Sequence, residues 1–214
     1  MIAFIKDTDT SFPDPRQGGP SGCFARGGSL DPDLIIKGYH LGIFPWFDFH
    51  LPMPFWYCPM NRFVIFPDTI HVSHSMRTLI NSGRYRVTFD QAFSRVIEYC
   101  GSAQDRNTME GAWLGREVIE VYTGLHQRGI EHSVEVWEGQ ELVGGLYGAR
   151  INGSFIGESM FSLAPSASKL ALITLARSLE PGKLIDCQIA TPHLRSMGGR
   201  YIPYDRYLEI LQSD

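Results

Sequence analysis

At 214 residues, with 43% hydrophobic and 20% charged residues, the chain is sized for one large domain or a small domain on a larger one, and its composition excludes a disordered, collagen-like or coiled-coil protein. A formal net charge of −4 excludes bulk positive charge as a means of coating nucleic acid and leaves room only for a local basic patch. No apolar run approaches the roughly 20 residues that cross a bilayer, and the start, MIAFIKDTDTSF, lacks a basic region ahead of a long apolar core, so a cytoplasmic protein without membrane contact is expected.

Residues 1–61 are rich in Gly, Pro and aromatics, which predicts a small, loop-dominated N-terminal domain. One short helix stands out there, opened by Asp31 as N-cap and Pro32 in the first turn and running to Tyr39. From Arg62 the pattern changes, and 62–214 reads as the larger domain. RFVIF and YRVTFD are predicted strands, 91–100 a helix with Phe93, Val96, Ile97 and Cys100 on one face, and 115–127 a second helix closed by Arg128 and Gly129. HSVEVWE and ELVGGLYGARING read as a hairpin across Glu138-Gly139-Gln140, followed by a strand, SFIGESMF. A helix over 167–179, a strand LIDCQ, a helical turn at 193–197 and a closing helix from Asp205 complete the chain. Meandering strands, a helix and one further strand beside them predict an α+β fold with a mixed sheet.

Cys23, Cys58, Cys100 and Cys187 are scattered, without CxxC pairing or histidines at zinc-ligand spacing, and read as reduced, packed thiols. His71 and His74 have no third ligand nearby in the sequence, so neither a metal nor another cofactor is expected.

GIFPWF (42–47), HSVEVW (132–137), LVGGLYG (142–148), GESMFS (157–162) and LIDCQ (184–188), together with FPDP, Gly27-Gly28, WYCPMNR, HVSHSMR and Trp113, run in order through nearly the whole chain. In this the chain closely resembles the bacterial leucyl/phenylalanyl-tRNA-protein transferases. The resemblance implies a small N-terminal domain packed on a C-terminal acetyltransferase-like (GNAT) domain. It further implies an enzyme that moves leucine or phenylalanine from aminoacyl-tRNA onto proteins beginning with Arg or Lys, marking them for degradation by the N-degron route, and a monomer.

An aminoacyl ester is already activated, so the chemistry asks mainly for placement of an amine and stabilisation of a developing oxyanion. An α-amino group with a pKa of about 8 is partly neutral near pH 7, and a hydrogen-bond acceptor suffices to guide its remaining proton. Gln188 suits that role. Alternation along LIDCQ would put Asp186 on the face of Gln188, where it would hold the Gln188 amide in one orientation. Taken alone, the same residues read better as an ordinary helix cap and a sheet-edge amide, and it is the resemblance that favours the catalytic pair. Glu158, a carboxylate in an otherwise small or apolar strand, requires a partner; the resemblance places it at acceptor recognition and catalysis, and a structural salt bridge with Lys169 or an arginine is the alternative.

The resemblance also puts Trp46 and Trp113 on the end of the aminoacyl-tRNA, where an aromatic face stacks on the terminal adenine, although tryptophans commonly pack in cores. It puts Leu146, Phe155, Leu172, Leu175, Leu179 and Ile185 around the donor side chain, and leucines at 175 and 179, where phenylalanines are usual, imply a roomier pocket that admits Leu, Phe or Met. Arg77, Arg84 and Arg86 are the basic residues available to the tRNA acceptor stem.

Three rival readings are weighed. A serine hydrolase on Ser159 lacks the second glycine of GxSxG, since Phe161 stands there. A coenzyme A-dependent acyltransferase would share the fold, but APSASK is a poor pyrophosphate loop. A non-catalytic adaptor would bind basic N-termini through Glu158 without turnover.

Overall fold

The structure is a computed structural model that describes residues 2–46, 53–105 and 115–213. In chain order its elements are β1 (Ala3–Ile5), β2 (Cys23–Gly27), α1 (Pro32–His40), β3 (Phe44–Trp46), β4 (Phe55–Tyr57), β5 (Asn61–Ile65), α2 (His74–Asn81), β6 (Arg86–Phe89) and α3 (Phe93–Asp105). There follow α4 (Arg116–Gln127), β7 (Glu131–Glu138), β8 (Glu141–Ile151), β9 (Ser154–Ser162), α5 (Ala167–Ser178), β10 (Ile185–Asp186), α6 (Pro192–Ser196), β11 (Arg200–Pro203) and α7 (Tyr204–Gln212).

The fold is α+β with mixed sheets. A small sheet has the order β1-β2-β4-β3, and a seven-stranded sheet the order β11-β5-β10-β9-β8-β7-β6. In the large sheet the β9–β10 pair is parallel and the others are antiparallel. The expected hairpin joins β7 to β8 through Gly139 and Gln140. The N-terminal stretch holds four strands of three to five residues where loops are expected from sequence; strands this short carry too few alternating positions to register as a pattern.

Helices cover both faces of the large sheet. On one, α1, α3, α4 and α7 bury Tyr39, Val96, Tyr122 and Tyr207 against Tyr147, Ala149 and Ile156. On the other, α2, α5 and α6 bury Met76, Leu172 and Leu194 against Ile65, Val134, Leu146 and Phe155. Helix α1 forms as its sequence dictates: Asp31 Oδ1 accepts from the backbone N–H of Asp33 and of Leu34, Pro32 opens the first turn, and Leu34, Ile35, Gly38 and Tyr39 form the buried stripe. Gly42, at φ +67°, then turns the chain where a Cβ would lie 2.6 Å from the Tyr207 ring, so a side chain is excluded there.

Strand β9 contains a bulge. Tyr147 pairs with Ser159 and Gly148 with Gly157, which leaves Glu158 as the extra residue. The bulge inverts side-chain parity: Phe155 and Met160, five positions apart, pack on the same face, as do Ile156 and Phe161 on the other. Gly148 permits it, because a Cβ there would collide with the Ile156 carbonyl.

Candidate active site

The parallel strands β9 and β10 stay together for two residue pairs, Ile185 with Phe155 and Asp186 with Ile156, and then part. Between them opens a cavity of about 450 Å³, within the usual size range of small-molecule sites. Leu146, Phe155, Leu172, Leu175 and Ile185 line it, joined by Glu158, Asp186 and Gln188. Five of the six apolar residues expected from sequence and all three polar ones therefore meet at one opening.

Two expectations need correction. Leu179 is buried but does not line the cavity: α5 ends at Ser178, and Leu179, at φ −90° and ψ 151°, leaves the helical face that carries Leu172 and Leu175. Asp186 does not hold the Gln188 amide either. The strand ends at Asp186, and Gln188 takes a left-handed φ of 55°, so alternation no longer applies. Asp186 Oδ1 instead accepts from the Gln188 backbone N–H at 2.9 Å, while Gln188 Nε2 donates to the Gly157 carbonyl at 2.7 Å. In an unbroken parallel ladder that carbonyl would take the Gln188 backbone N–H, since Phe155 N already donates to Leu184 O at 2.9 Å. The side chain has taken the backbone's place, and a carbonyl partner fixes the amide nitrogen on that side, leaving Oε1 as an acceptor at the cavity.

Asp186 is fully buried. Its Oδ2 accepts from the Tyr207 hydroxyl at 2.9 Å and lies 3.0 Å from Arg62 Nε. Arg62, also fully buried, donates to the Gly42 carbonyl and stacks on Phe44 and Tyr207, 5.0 and 4.7 Å from the ring centres. The GIFPWF and LIDCQ segments are thus tied together by one arginine, which sequence reading passed over as the first residues of a strand.

Among the described residues Glu158 pairs with neither Lys169 nor an arginine; it accepts from the Tyr39 hydroxyl at 2.7 Å, and the Tyr39 phenolic oxygen also lies 2.8 Å from Glu131 Oε1. Burial pushes the Glu158 carboxyl up to about 7, against the pull of the Tyr39 bond, with Asp186 adding like charge. Burial and then the charge of Glu158 hold Glu131 well above the usual carboxylate range. Tyr122 and Tyr147 stand beside the pair, both buried. At the other rim of the cavity are Ser168, Thr191 and His193; burial and the charge of Lys169 lower the His193 pKa, which favours a neutral imidazole. The Cys187 thiol lines the cavity and is pushed far up by burial, so it is no nucleophile at neutral pH.

Trp46 stands outside the cavity on β3, 43% exposed, its ring tilted over Tyr57 at 5.6 Å. Trp113 lies outside the described residues. Arg77, Arg84 and Arg86 are exposed. Arg77 donates to the Val72 carbonyl, Arg84 pairs with Glu138 at 2.8 Å, and Arg86 stacks over Trp137 at 5.2 Å. Arg95, absent from the sequence reading, stacks on the same Trp137 ring at 5.3 Å; its position on helix α3, remote in sequence from the other basic residues, hid the association. Among the described residues no helix is long and apolar enough to cross a membrane.

Residues 64–212 match the family described as leucyl/phenylalanyl-tRNA protein transferase, and residues 28–60 match that family's N-terminal domain. The chain belongs to this family. Proteins named leucyl/phenylalanyl-tRNA–protein transferase are similar to it over almost their full lengths. That of Ectopseudomonas mendocina is 48% identical, covering 99% of this chain and 94% of its own. That of Nitrosomonas eutropha is 45% identical over 95% and 88% of the two chains, and that of an Anaeromyxobacter strain 42% identical over 97% and 89%. The family is one of aminoacyltransferases, so this chain is an enzyme of that class.

Proposed function

We propose that this enzyme transfers leucine or phenylalanine, and also methionine, from the 3′ end of aminoacyl-tRNA to the N-terminal Arg or Lys of acceptor proteins, which marks them for N-degron degradation in the cytoplasm. The observation that carries this reading is the cavity in which an apolar end, lined by Leu146, Phe155, Leu172, Leu175 and Ile185, adjoins Gln188 and Glu158. An apolar aminoacyl side chain fills the first part and brings its ester carbonyl to the second.

In the reaction the acceptor's α-amine attacks the ester carbonyl, and the ribose oxygen leaves from the tetrahedral intermediate. Glu158 as a carboxylate holds the acceptor amine and takes its hydrogen bond, while Gln188 Oε1 accepts a second N–H and guides its proton. Asp186, Arg62 and Tyr207 keep the Gln188 turn in place. Trp46 and Trp113 serve the terminal adenosine by stacking, and Arg77, Arg84 and Arg86 the acceptor-stem phosphates. We read the small sheet as part of an N-terminal domain, 1–61, and 62–214 as an acetyltransferase-like (GNAT) catalytic domain working as a monomer; a mixed sheet whose parallel pair parts beside a bulge supports that reading.

The donor rule is tested by presenting tRNAs charged with Leu, Phe, Met or Ala to one Lys-initiated peptide and reading the peptide's mass. Leu, Phe and Met are expected to be added and Ala to lag, because each methylene buried in such a pocket is worth about 1 to 3 kcal/mol. Equal transfer of Ala would remove the cavity from the account. The pH profile adds a second expectation. Since Glu158 acts when ionised and its carboxyl is pushed up to about 7, kcat/KM should climb as pH rises through that value, and Glu158→Gln should both lower the rate and remove this limb. A profile of unchanged shape in the variant would exclude Glu158 as the titrating group.

A further inference from the structure

The bridge between Glu131 and Glu158 fixes a proton count that the roles above do not use. The Tyr39 phenolic oxygen is 2.8 Å from Glu131 Oε1 and 2.7 Å from Glu158 Oε1. Both are distances of O–H···O hydrogen bonds, so a hydrogen lies between each pair of oxygens. A phenol supplies one hydrogen and a carboxylate none. The second hydrogen therefore belongs to a carboxyl group: one of the two glutamates is a carboxylic acid.

Their surroundings decide which. Glu131 is fully buried, does not line the cavity, and its Oε2 has no hydrogen-bond partner among the described residues. Glu158 is half-buried at the cavity wall. Charge is better tolerated on the more solvated group. The groups facing the pair agree: Tyr39 from α1, Tyr122 and His126 from α4, Tyr147 from β8, with Cys100 of α3 behind Tyr147, Asp186 from β10 and Arg62 from β5. The fixed cation in this set is Arg62, already 3.0 Å from Asp186, and His126 Nδ1 is held at 2.8 Å by the backbone oxygen of Glu131. Nothing in this set offers the Glu131 side chain a positive charge of its own.

We propose that Glu131 is a neutral carboxylic acid that donates to Tyr39, which in turn donates to Glu158, so that one stored proton aims the phenol and presents Glu158 as a carboxylate to the acceptor amine. This rests on the reading of Glu158 as the acceptor's partner. Glu131 touches no substrate and is a positioning residue acting through Tyr39. Burial and the charge of Glu158, which raise the Glu131 carboxyl well above the ordinary carboxylate range, agree with the same placement.

The proton is read directly by infrared spectroscopy at about pH 8, where ordinary carboxyls are ionised. The native enzyme should retain a carboxylic-acid C=O band that is missing from Glu131→Gln, kept in Glu158→Gln and displaced in Tyr39→Phe. Absence of the band in the native enzyme, or its loss from Glu158→Gln with retention in Glu131→Gln, overturns the proposal. Transfer kinetics give an independent readout. Glu131→Leu should raise the acceptor-peptide KM up to about tenfold, the effect of a lost hydrogen bond between neutral groups that leaves the phenol unaimed, whereas Glu131→Gln, whose amide still donates to the phenol, should stay within about threefold of the native value. A Gln variant as impaired as the Leu variant would mean that charge at position 131 is what matters, contrary to the proposal. Should no peptide be a substrate of the native enzyme, the transferase reading falls while the infrared band still decides the proton on Glu131.

Discussion

Gln188→Ala is expected to lower kcat for aminoacyl transfer about a hundredfold or more, the range of a positioned proton-handling group, while aminoacyl-tRNA affinity changes little. The selectivity of the effect follows from geometry. The Gln188 amide is anchored by one N–H to the Gly157 carbonyl; in the proposed function its oxygen meets the attacking amine as the amine sheds a proton, an interaction that gains strength only as the bond forms. In the proposed function the donor side chain is gripped elsewhere, by the apolar residues that line the cavity. Single-turnover transfer and a separate tRNA-binding titration make the distinction; equal losses in both would assign Gln188 to binding or folding. Gln188→Glu is the informative companion: it retains an acceptor oxygen but, once ionised, has no hydrogen for the Gly157 carbonyl, so the turn loses its lock.

Arg62→Ala should destabilise the fold by about 3 to 5 kcal/mol, the usual result of removing one partner from a buried ion pair. Both members here are fully buried, and Asp186 would keep the Tyr207 hydroxyl and the Gln188 N–H but lose its cation. The Gly42 carbonyl would lose its donor as well. Arg62→Lys should recover only part of this, because a single ammonium cannot reach Asp186 and Gly42 together as a guanidinium fork does and stacks less well on Phe44 and Tyr207. Urea denaturation measures it, and a loss below about 1 kcal/mol, the scale of an exposed pair, would contradict the structural role given to Arg62.

What the sequence made legible, and what it hid, follow from the range over which each signal acts. Helix α1 was readable because Asp31, Pro32 and the stripe ending at Tyr39 are local. The β7–β8 hairpin was readable because alternation and a Gly139 turn coincide. Leu146, Phe155, Leu172, Leu175 and Ile185, which line one cavity, were grouped only through the family resemblance, since helical spacing alone equally describes a core face. The Gln188 turn was misread because strand alternation was carried two residues beyond the end of β10, and left-handed backbone at a glutamine has no sequence signal. Glu131 was missed for a different reason: it stands one residue before the predicted strand HSVEVWE, outside its alternation, and only α4 packing on β7, with Tyr39 reaching in from α1, buries it. Tyr39 was visible as an apolar position of a helix, yet its hydroxyl, which joins residues 92 and 119 positions away in the chain, belongs to the tertiary structure alone.

The central claim, that the cavity between β9 and β10 joins an aminoacyl group to a free basic N-terminus, is tested most directly by supplying leucyl-tRNA and four peptides that differ at their first residue: Arg, Lys, Ala and N-acetylated Arg. Leucine is expected on the Arg and Lys peptides and on neither of the others, since the proposed reaction takes a free α-amine and a basic residue beside Glu158. Binding of the Arg peptide without any product would contradict the account and leave a non-catalytic adaptor for basic N-termini in its place.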